Sequence, residues 1–315
     1  MKKWVISILI ILLLAGGATL CIVRWQAWFG MPAEPLWTGE NIDYTFPFFE
    51  RDTTDESLDI LVLGDIHNRL TRADYDTLAA RVPQLDAVAQ AGDWIDRGQE
   101  YYYQLLLREW TNSALFGTPV IPCPGNHEYD KGIPKTLSAV WEKAFPHPCN
   151  GPVDVPGATY YADYYSLRFI VIDTNPLDRL MYLTRTLTWL REAMYSAGDR
   201  YVVVMMHHPV LSPGKGRSNP LIYTAFHHAL EDADLVISGH DHSYMRRKPF
   251  VVLNTAGRPK AQQIPFTTEV TDSVATYSVL SIKRSTISYH PSPLTFNTYR
   301  LSDGQVIDLL YVKHD

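Results

Sequence analysis

Cysteine is scarce, with only Cys21, Cys123 and Cys149 among 315 residues. Three thiols cannot build a disulfide framework, which excludes the small stapled secreted folds. Basic residues are short as well: 28 Lys and Arg stand against 34 Asp and Glu, a net charge of -6. Sequence-general nucleic-acid binding needs clustered cations to meet phosphates, so no nucleic-acid partner is expected beyond a possible substrate. Glycine (18) and proline (21) follow no period, which excludes a collagen-like chain. Internal repeats and low-complexity tracts are absent. With 46% hydrophobic and 20% charged residues the composition is that of a folded globular chain, long enough for one large domain or two small ones.

Charge is missing altogether from Trp4 to Val23. Twenty helical residues span about 30 Å, the hydrocarbon thickness of a bilayer. Lys2 and Lys3 precede the run and Arg24 follows it. The positive-inside rule then places the N-terminus in the cytoplasm and the rest of the chain outside it. Residues 1–24 are therefore expected to be a retained transmembrane anchor. Two other readings are a signal peptide cleaved near Ala15–Ala18 and a lipoprotein anchored at Cys21, which lacks a small residue at Leu20. All three export the remainder, where Cys123 and Cys149 could pair. Residues 25–57, rich in proline, aromatics and then charges, read as a juxtamembrane linker that packs on the domain or spaces it from the membrane.

From residue 58 to 315 a single α/β domain is expected. Apolar, mostly β-branched runs recur at 58–63, 85–91, 119–122, 167–172, 201–206 and 234–238. Candidate helices lie between them at 71–82, with Thr71 as N-cap and Asp74 three residues on, and at 99–112, 183–196 and 221–231. Strands alternating with helices indicate an α/β sheet. Beyond Pro249 the helical pattern fades into hairpin-like segments, with Asp303-Gly304 as a turn.

Five of the apolar runs empty into polar residues that can hold a metal: Gly64-Asp65-Ile66-His67, Gly92-Asp93-Trp94-Ile95-Asp96-Arg97-Gly98, Gly125-Asn126-His127-Glu128, His207-His208-Pro209 and Gly239-His240-Asp241-His242. Open α/β sheets gather ligands beyond the carboxyl ends of their strands, so these groups are expected on one edge. Carboxylates, an amide and imidazoles suit Mn, Fe or Zn and disfavour Ca or a thiolate site. Two such ions sharing a carboxylate favour phosphoester hydrolysis.

These five blocks, in this order over residues 58–245, resemble the calcineurin-like metallophosphoesterase superfamily. The resemblance implies a four-layer αββα sandwich of two mixed sheets with helices outside. It implies two transition-metal ions, with Asp65, His67 and His242 around the first, Asn126, His207 and His240 around the second, and Asp93 bridging both. His127 matches the histidine that contacts phosphate and protonates the leaving group. The block holding Asp96 and Arg97 is similar to that of the protein serine/threonine phosphatases, which implies an Asp96–His127 dyad and Arg97 as a phosphate clamp. The alternative is a structural Asp–Arg pair capping the next helix. Gly239–Arg246 is closer to the corresponding block of purple acid phosphatases. The metal-binding tyrosine of those enzymes is replaced here by Asp96, so their purple colour is not expected.

The sequence thus points to a membrane-tethered, extracytoplasmic hydrolase of phosphate monoesters that uses a hydroxide shared by its metals. Phosphodiester hydrolysis on nucleotides, lipid headgroups or envelope polymers is the runner-up. A tethered binding domain is the third reading, disfavoured because every ligand position holds a competent residue. His208, Asp173, His227 and His228 are expected to be structural, and Asp241 and Glu128 to support ligands. Loops 130–160 and 211–220 are expected to wall the site; Lys215 and Arg217 could meet an anionic substrate there, but exposed loop charges usually do not.

Overall fold

The runs read as strands are strands because they are buried on both faces. In β1 (Leu58–Leu63), Ile60 and Val62 point to one side and Leu61 and Leu63 to the other, and all four are sealed from solvent. The computed structural model describes residues 44–50, 57–130, 135–164, 166–212, 219–253, 259–260, 270–272, 274–282 and 293–312. After β1 come α1 (Arg72–Arg81), β2 (Ala87–Ala91), α2 (Glu100–Trp110), β3 (Val120–Cys123) and the short α3 (Ala139–Ala144). The chain continues through β4 (Tyr160–Tyr164), β5 (Leu167–Ile172), α4 (Leu180–Tyr195), β6 (Tyr201–Met206), α5 (Pro220–Phe226) and β7 (Leu235–Ser238). Six further strands follow: β8 (Tyr244–Arg247), β9 (Phe250–Val252), β10 (Val270–Asp272), β11 (Thr276–Ile282), β12 (Leu294–Arg300) and β13 (Val306–Val312).

Two mixed sheets result. One has the order β13-β12-β11-β1-β2-β3 and the other β10-β8-β9-β7-β6-β5-β4. The strands that carry the motifs, β1-β2-β3 and β6-β7, pair in parallel, so their carboxyl ends share one edge of each sheet. Ile60, Val62, Ala89 and Ile121 of the first sheet meet Phe169, Val203, Met205 and Ile237 of the second in a layer between them. Leu61, Leu63 and Val88 pack outward on Tyr75, Leu78, Tyr103 and Leu106 of α1 and α2. Ile170, Val204 and Val236 pack outward on Leu183, Leu190, Ile222 and Phe226 of α4 and α5. Each fully buried side chain of this size contributes roughly 1.5–3 kcal/mol against exposure. The layers are therefore helix, sheet, sheet, helix, as the resemblance implied.

Local signals match as well. Thr71 caps α1, its side chain accepting from the Asp74 amide while the Asp74 carboxylate accepts from the Thr71 amide at 2.8 Å. The expected 221–231 helix is shorter: α5 ends at Phe226 and a 3₁₀ turn covers His228–Leu230.

Some expectations need changing. Of the two readings of the 25–57 stretch, packing on the domain holds for residues 46–49. Phe46 is buried and stacks on Phe145 with ring centroids 4.5 Å apart, and Phe48 bridges Val120 in parallel. Cys123 is buried and Cys149 exposed, both as free thiols, so the two do not pair. The apolar run Trp4–Val23 and most of the 25–57 stretch lie outside the described residues. Among those described, no helix is long and apolar enough to cross a membrane.

Candidate metal centre

The site begins with an uncommon backbone. Asp65, His67, Asp93, His240 and His242 all have positive φ, between 49° and 73°. An L-residue pays roughly 1–2 kcal/mol for that region, so the turns persist only where neighbours hold them. Hydrogen bonds between loops do so. The Asp65 amide donates to the Gly92 carbonyl at 2.9 Å, the His67 amide to the Asp93 carbonyl at 3.0 Å, and the Gly239 amide to the His207 carbonyl at 3.0 Å. Two glycines are required by space. A Cβ on Gly92, whose φ is +87°, would lie 2.2 Å from His207 Nδ1, and one on Gly125 would lie 2.2 Å from Asp93 Oδ1.

Asp93 stands at the centre. Its Oδ2 lies 3.3 Å from His207 Nε2, 3.7 Å from His67 Nε2 and 3.9 Å from His127 Nε2. On one side, His67 Nε2 and His242 Nε2 face each other at 3.3 Å, and His242 Nε2 lies 3.6 Å from Asp65 Oδ1. On the other, His207 Nε2 is 3.2 Å from Asn126 Oδ1 and 3.3 Å from His240 Nδ1. The carbonyl of Ala91 is 3.0 Å from His207 Nδ1 and can only accept a hydrogen bond, so Nδ1 carries the donating hydrogen and Nε2 is the nitrogen turned to the cluster. All seven side chains expected to bind metal are thus brought to one place.

Electrostatics shows why cations suit it. Asp65 is completely buried, and burial pushes its carboxyl well above the ordinary range, with the charge of Asp93 adding to the effect. Burial also strips His67 of its proton, holding the imidazole at about 3 and leaving a lone pair for coordination. Burial opposes the charge of Asp93 too, but His207 beside it outweighs that and holds the carboxyl well below its usual value. Burial likewise disfavours a charged His207, yet Asp93 pushes it up to about 10. The proton on His207 thus does in part what a metal ion would do. The groups Asp65–His67–His242, Asp65–Asp93–His207 and His207–His208–His240 each converge within 4.8 Å. Nitrogen and oxygen donors without sulfur fit Mn, Fe or Zn.

The residues outside this cluster are less obedient to the sequence reading. The His127 ring rests its Nδ1 on the backbone carbonyl of Asp96, not on the carboxylate. The Asp96 carboxylate instead lies 3.4 Å from His67 Nδ1 and is 42% exposed on the cleft wall. The expected carboxylate–imidazole dyad is therefore a backbone contact. Arg97 is half-buried and does not line the metal cleft, so the expected clamp is not on its wall. Lys260 does line it, and its amide donates to the His242 carbonyl at 2.6 Å. No sequence signal marked Lys260, which sits in a stretch without a motif.

Glu128 has a larger role than expected. Its buried carboxylate accepts from the amides of Gly125 at 2.7 Å, Trp94 at 2.8 Å, Asp93 at 2.9 Å and Ile95 at 3.3 Å. It ties the loop of Asp93 to the loop of Asn126. Burial first, then the charge of Asp93, raises it to about 7. His208 bonds Thr174 Oγ1 through Nδ1 at 2.7 Å. Asp173 accepts from the Tyr129 hydroxyl at 2.6 Å and the Ala158 amide at 3.1 Å, a structural arrangement. Ser212 Oγ donates to Asp241 at 2.5 Å. Lys215 and Arg217 lie outside the described residues.

Comparison with known proteins gives a family and a fold. Residues 58–244 match the family described as calcineurin-like phosphoesterase. A glycerophosphodiester phosphodiesterase, GpdQ of Enterobacter lignolyticus, is 26% identical over 166 residues, which cover 50% of this chain and 56% of that one. The chain thus spans about half the length of the curated relative it matches. A purple acid phosphatase, PPD1 of yellow lupin, is similar in fold with a TM-score of 0.67 at 15% identity, over 84% of this chain and 55% of that one. GAP50, the anchor in the inner membrane complex of Plasmodium, has a TM-score of 0.61 at 15% identity, over 83% and 90%. Calcineurin-like phosphoesterases are phosphoric ester hydrolases built around paired metal ions, and the cluster around Asp93 has the donors for such a pair. The family match covers more than half of the chain and contains the whole cluster, and the chain belongs to the calcineurin-like phosphoesterases.

Proposed function

We propose that the chain hydrolyses phosphodiesters, with phosphate monoesters as the poorer substrates. One metal would be held by Asp65, His67 and His242, the other by Asn126, His207 and His240, with Asp93 shared. Two divalent cations there supply Lewis acidity toward a phosphoryl oxygen and an acidified water. The chain's own groups do the rest. Asp65 and Asp93 fix the spacing of the donors, and Glu128 fixes the loops that carry Asp93 and Asn126. His127, 37% exposed, presents Nε2 to the cleft and in its protonated form can donate to a leaving alkoxide.

The observation behind this choice is the cleft wall. It carries the Asp96 carboxylate, while the Arg97 guanidinium is not on it. A monoester dianion brings one more negative charge to that carboxylate than a diester does. Without a guanidinium, Lys260 is, among the described residues, the cation left on that wall to meet the extra charge, and it cannot offer a bidentate contact. Similarity to a glycerophosphodiester phosphodiesterase supports the same order of preference. On the side of monoesters stand Lys260 on the wall and the blocks similar to those of serine/threonine and purple acid phosphatases.

The test is the full chain loaded with Mn, assayed on bis(4-nitrophenyl) phosphate and on 4-nitrophenyl phosphate. The diester is expected to lead in kcat/KM by at least about tenfold, or roughly 1.4 kcal/mol in barrier. A tenfold lead for the monoester would overturn the proposal. The same reading places the domain outside the cytoplasm, tethered by Trp4–Val23, on the strength of that charge-free run and its flanking lysines. Protease added to intact cells should then digest the domain; full protection would contradict that location.

A further inference from the structure

The metal cleft encloses about 200 Å³, below the range of roughly 300–1,000 Å³ of sites that engulf whole small molecules. It has room for a phosphoryl group and little else. A second cavity of about 980 Å³ adjoins it, and Asn126 lines both. His208 stands at their boundary. It lines the larger cavity, and its ring centroid is 4.6 Å from that of His240, which lines the cleft. Its hydrogen bond with Thr174 fixes the ring there.

The larger cavity has a mixed wall. Leu177 and Ile222 are apolar, and Thr174 and Asn175 offer polar atoms. The Tyr182 ring, with the Arg179 guanidinium 5.5 Å from its centroid, gives a surface on which a flat ring can stack. An acyl chain would desolvate the exposed charges of Lys135, Glu142 and Arg179 on the same wall. A methyl or glycerol arm would leave most of the volume to water. We infer that this cavity is the subsite for one ester arm of the substrate, and that the arm is a ring-bearing alcohol of nucleoside size. The inference rests on the phosphoesterase reading of the adjoining cleft and is independent of whether monoesters or diesters are preferred.

Calorimetric titration of the Mn-loaded full chain tests it without turnover. The probes are the 5′-phosphonate of 5′-deoxythymidine and methylphosphonate, whose C–P bonds resist hydrolysis. The nucleoside phosphonate is expected to bind at least about tenfold more tightly, a difference of roughly 1.4 kcal/mol. Thr136→Trp, at an exposed position on the cavity wall, should erase that difference and leave methylphosphonate binding unchanged. Tyr182→Ala should reduce it in the same selective way and serves if the tryptophan variant misfolds. Equal binding of the two probes by the unaltered chain would overturn the subsite, and so would a nucleoside preference that survives in both variants. A nucleoside preference in a chain that leads on monoesters would overturn the diester proposal alone.

Discussion

The metal cleft and the cavity beside it share Asn126 but are built in opposite ways. Residues at strand ends make the cleft. Asp65, Asp93 and His207 are almost wholly sealed, and backbone hydrogen bonds between loops hold their left-handed turns. The cavity is walled by loop residues 135–137 and 156–157 and by the entry to α4, where Arg179 and Lys135 are exposed. A rigid floor with a variable wall divides the labour: the floor fixes the donors needed for chemistry, and the wall selects what is attached to phosphorus. Substitutions in the floor should therefore reduce every substrate alike, whereas substitutions in the wall should reorder substrates.

The largest effect is expected for Asp93→Asn. It removes the charge shared by both halves of the cluster, and kcat should fall about 10³-fold or more on all esters tested. A selective loss on one substrate would blur the division between floor and wall. Gly125→Ala comes next, since its Cβ would meet Asp93 Oδ1 at 2.2 Å and Asp93 N at 2.5 Å. Displacing that carboxylate by a fraction of its size should lower kcat about 10²-fold in steady-state assays. Glu128→Gln replaces an acceptor of four amides with a group that is half donor. Metal affinity, read by competition with a chromogenic chelator, should weaken about 10–100-fold. Arg97→Ala should be the mildest, changing kcat/KM by less than about threefold, because the residue is off the cleft wall. A hundredfold loss there would put the phosphate clamp back into the mechanism.

The same contrast explains what could be read in the sequence. Strands such as Leu58–Leu63 and Tyr201–Met206 were legible because burial on both faces leaves an unbroken apolar run. The seven donors were legible because each follows such a run, and parallel pairing brings the ends together. The role of Asp96 was misread because a spacing cannot say whether a carboxylate or its own carbonyl will meet an imidazole. Arg97 follows Asp96 in the chain, yet only Asp96 is among the residues that line the cleft. Lys260 and the wall residues Arg179 and Tyr182 carry no pattern, since chain segments far apart in sequence bring them to the site. Whether Phe46 and Phe49 pack on the domain or space it from the membrane stayed open, because an aromatic, proline-containing stretch without periodicity does not show its burial.

Metal stoichiometry is the most direct measurement. The full chain and Asp93→Asn would be saturated with Mn or Zn, freed of excess metal and analysed for metal per chain. Two ions per chain, falling below one in Asp93→Asn, is the expected result for a pair held across a shared carboxylate. A chain that binds no ion or only one, or a variant that still retains two, would contradict the site described around Asp93.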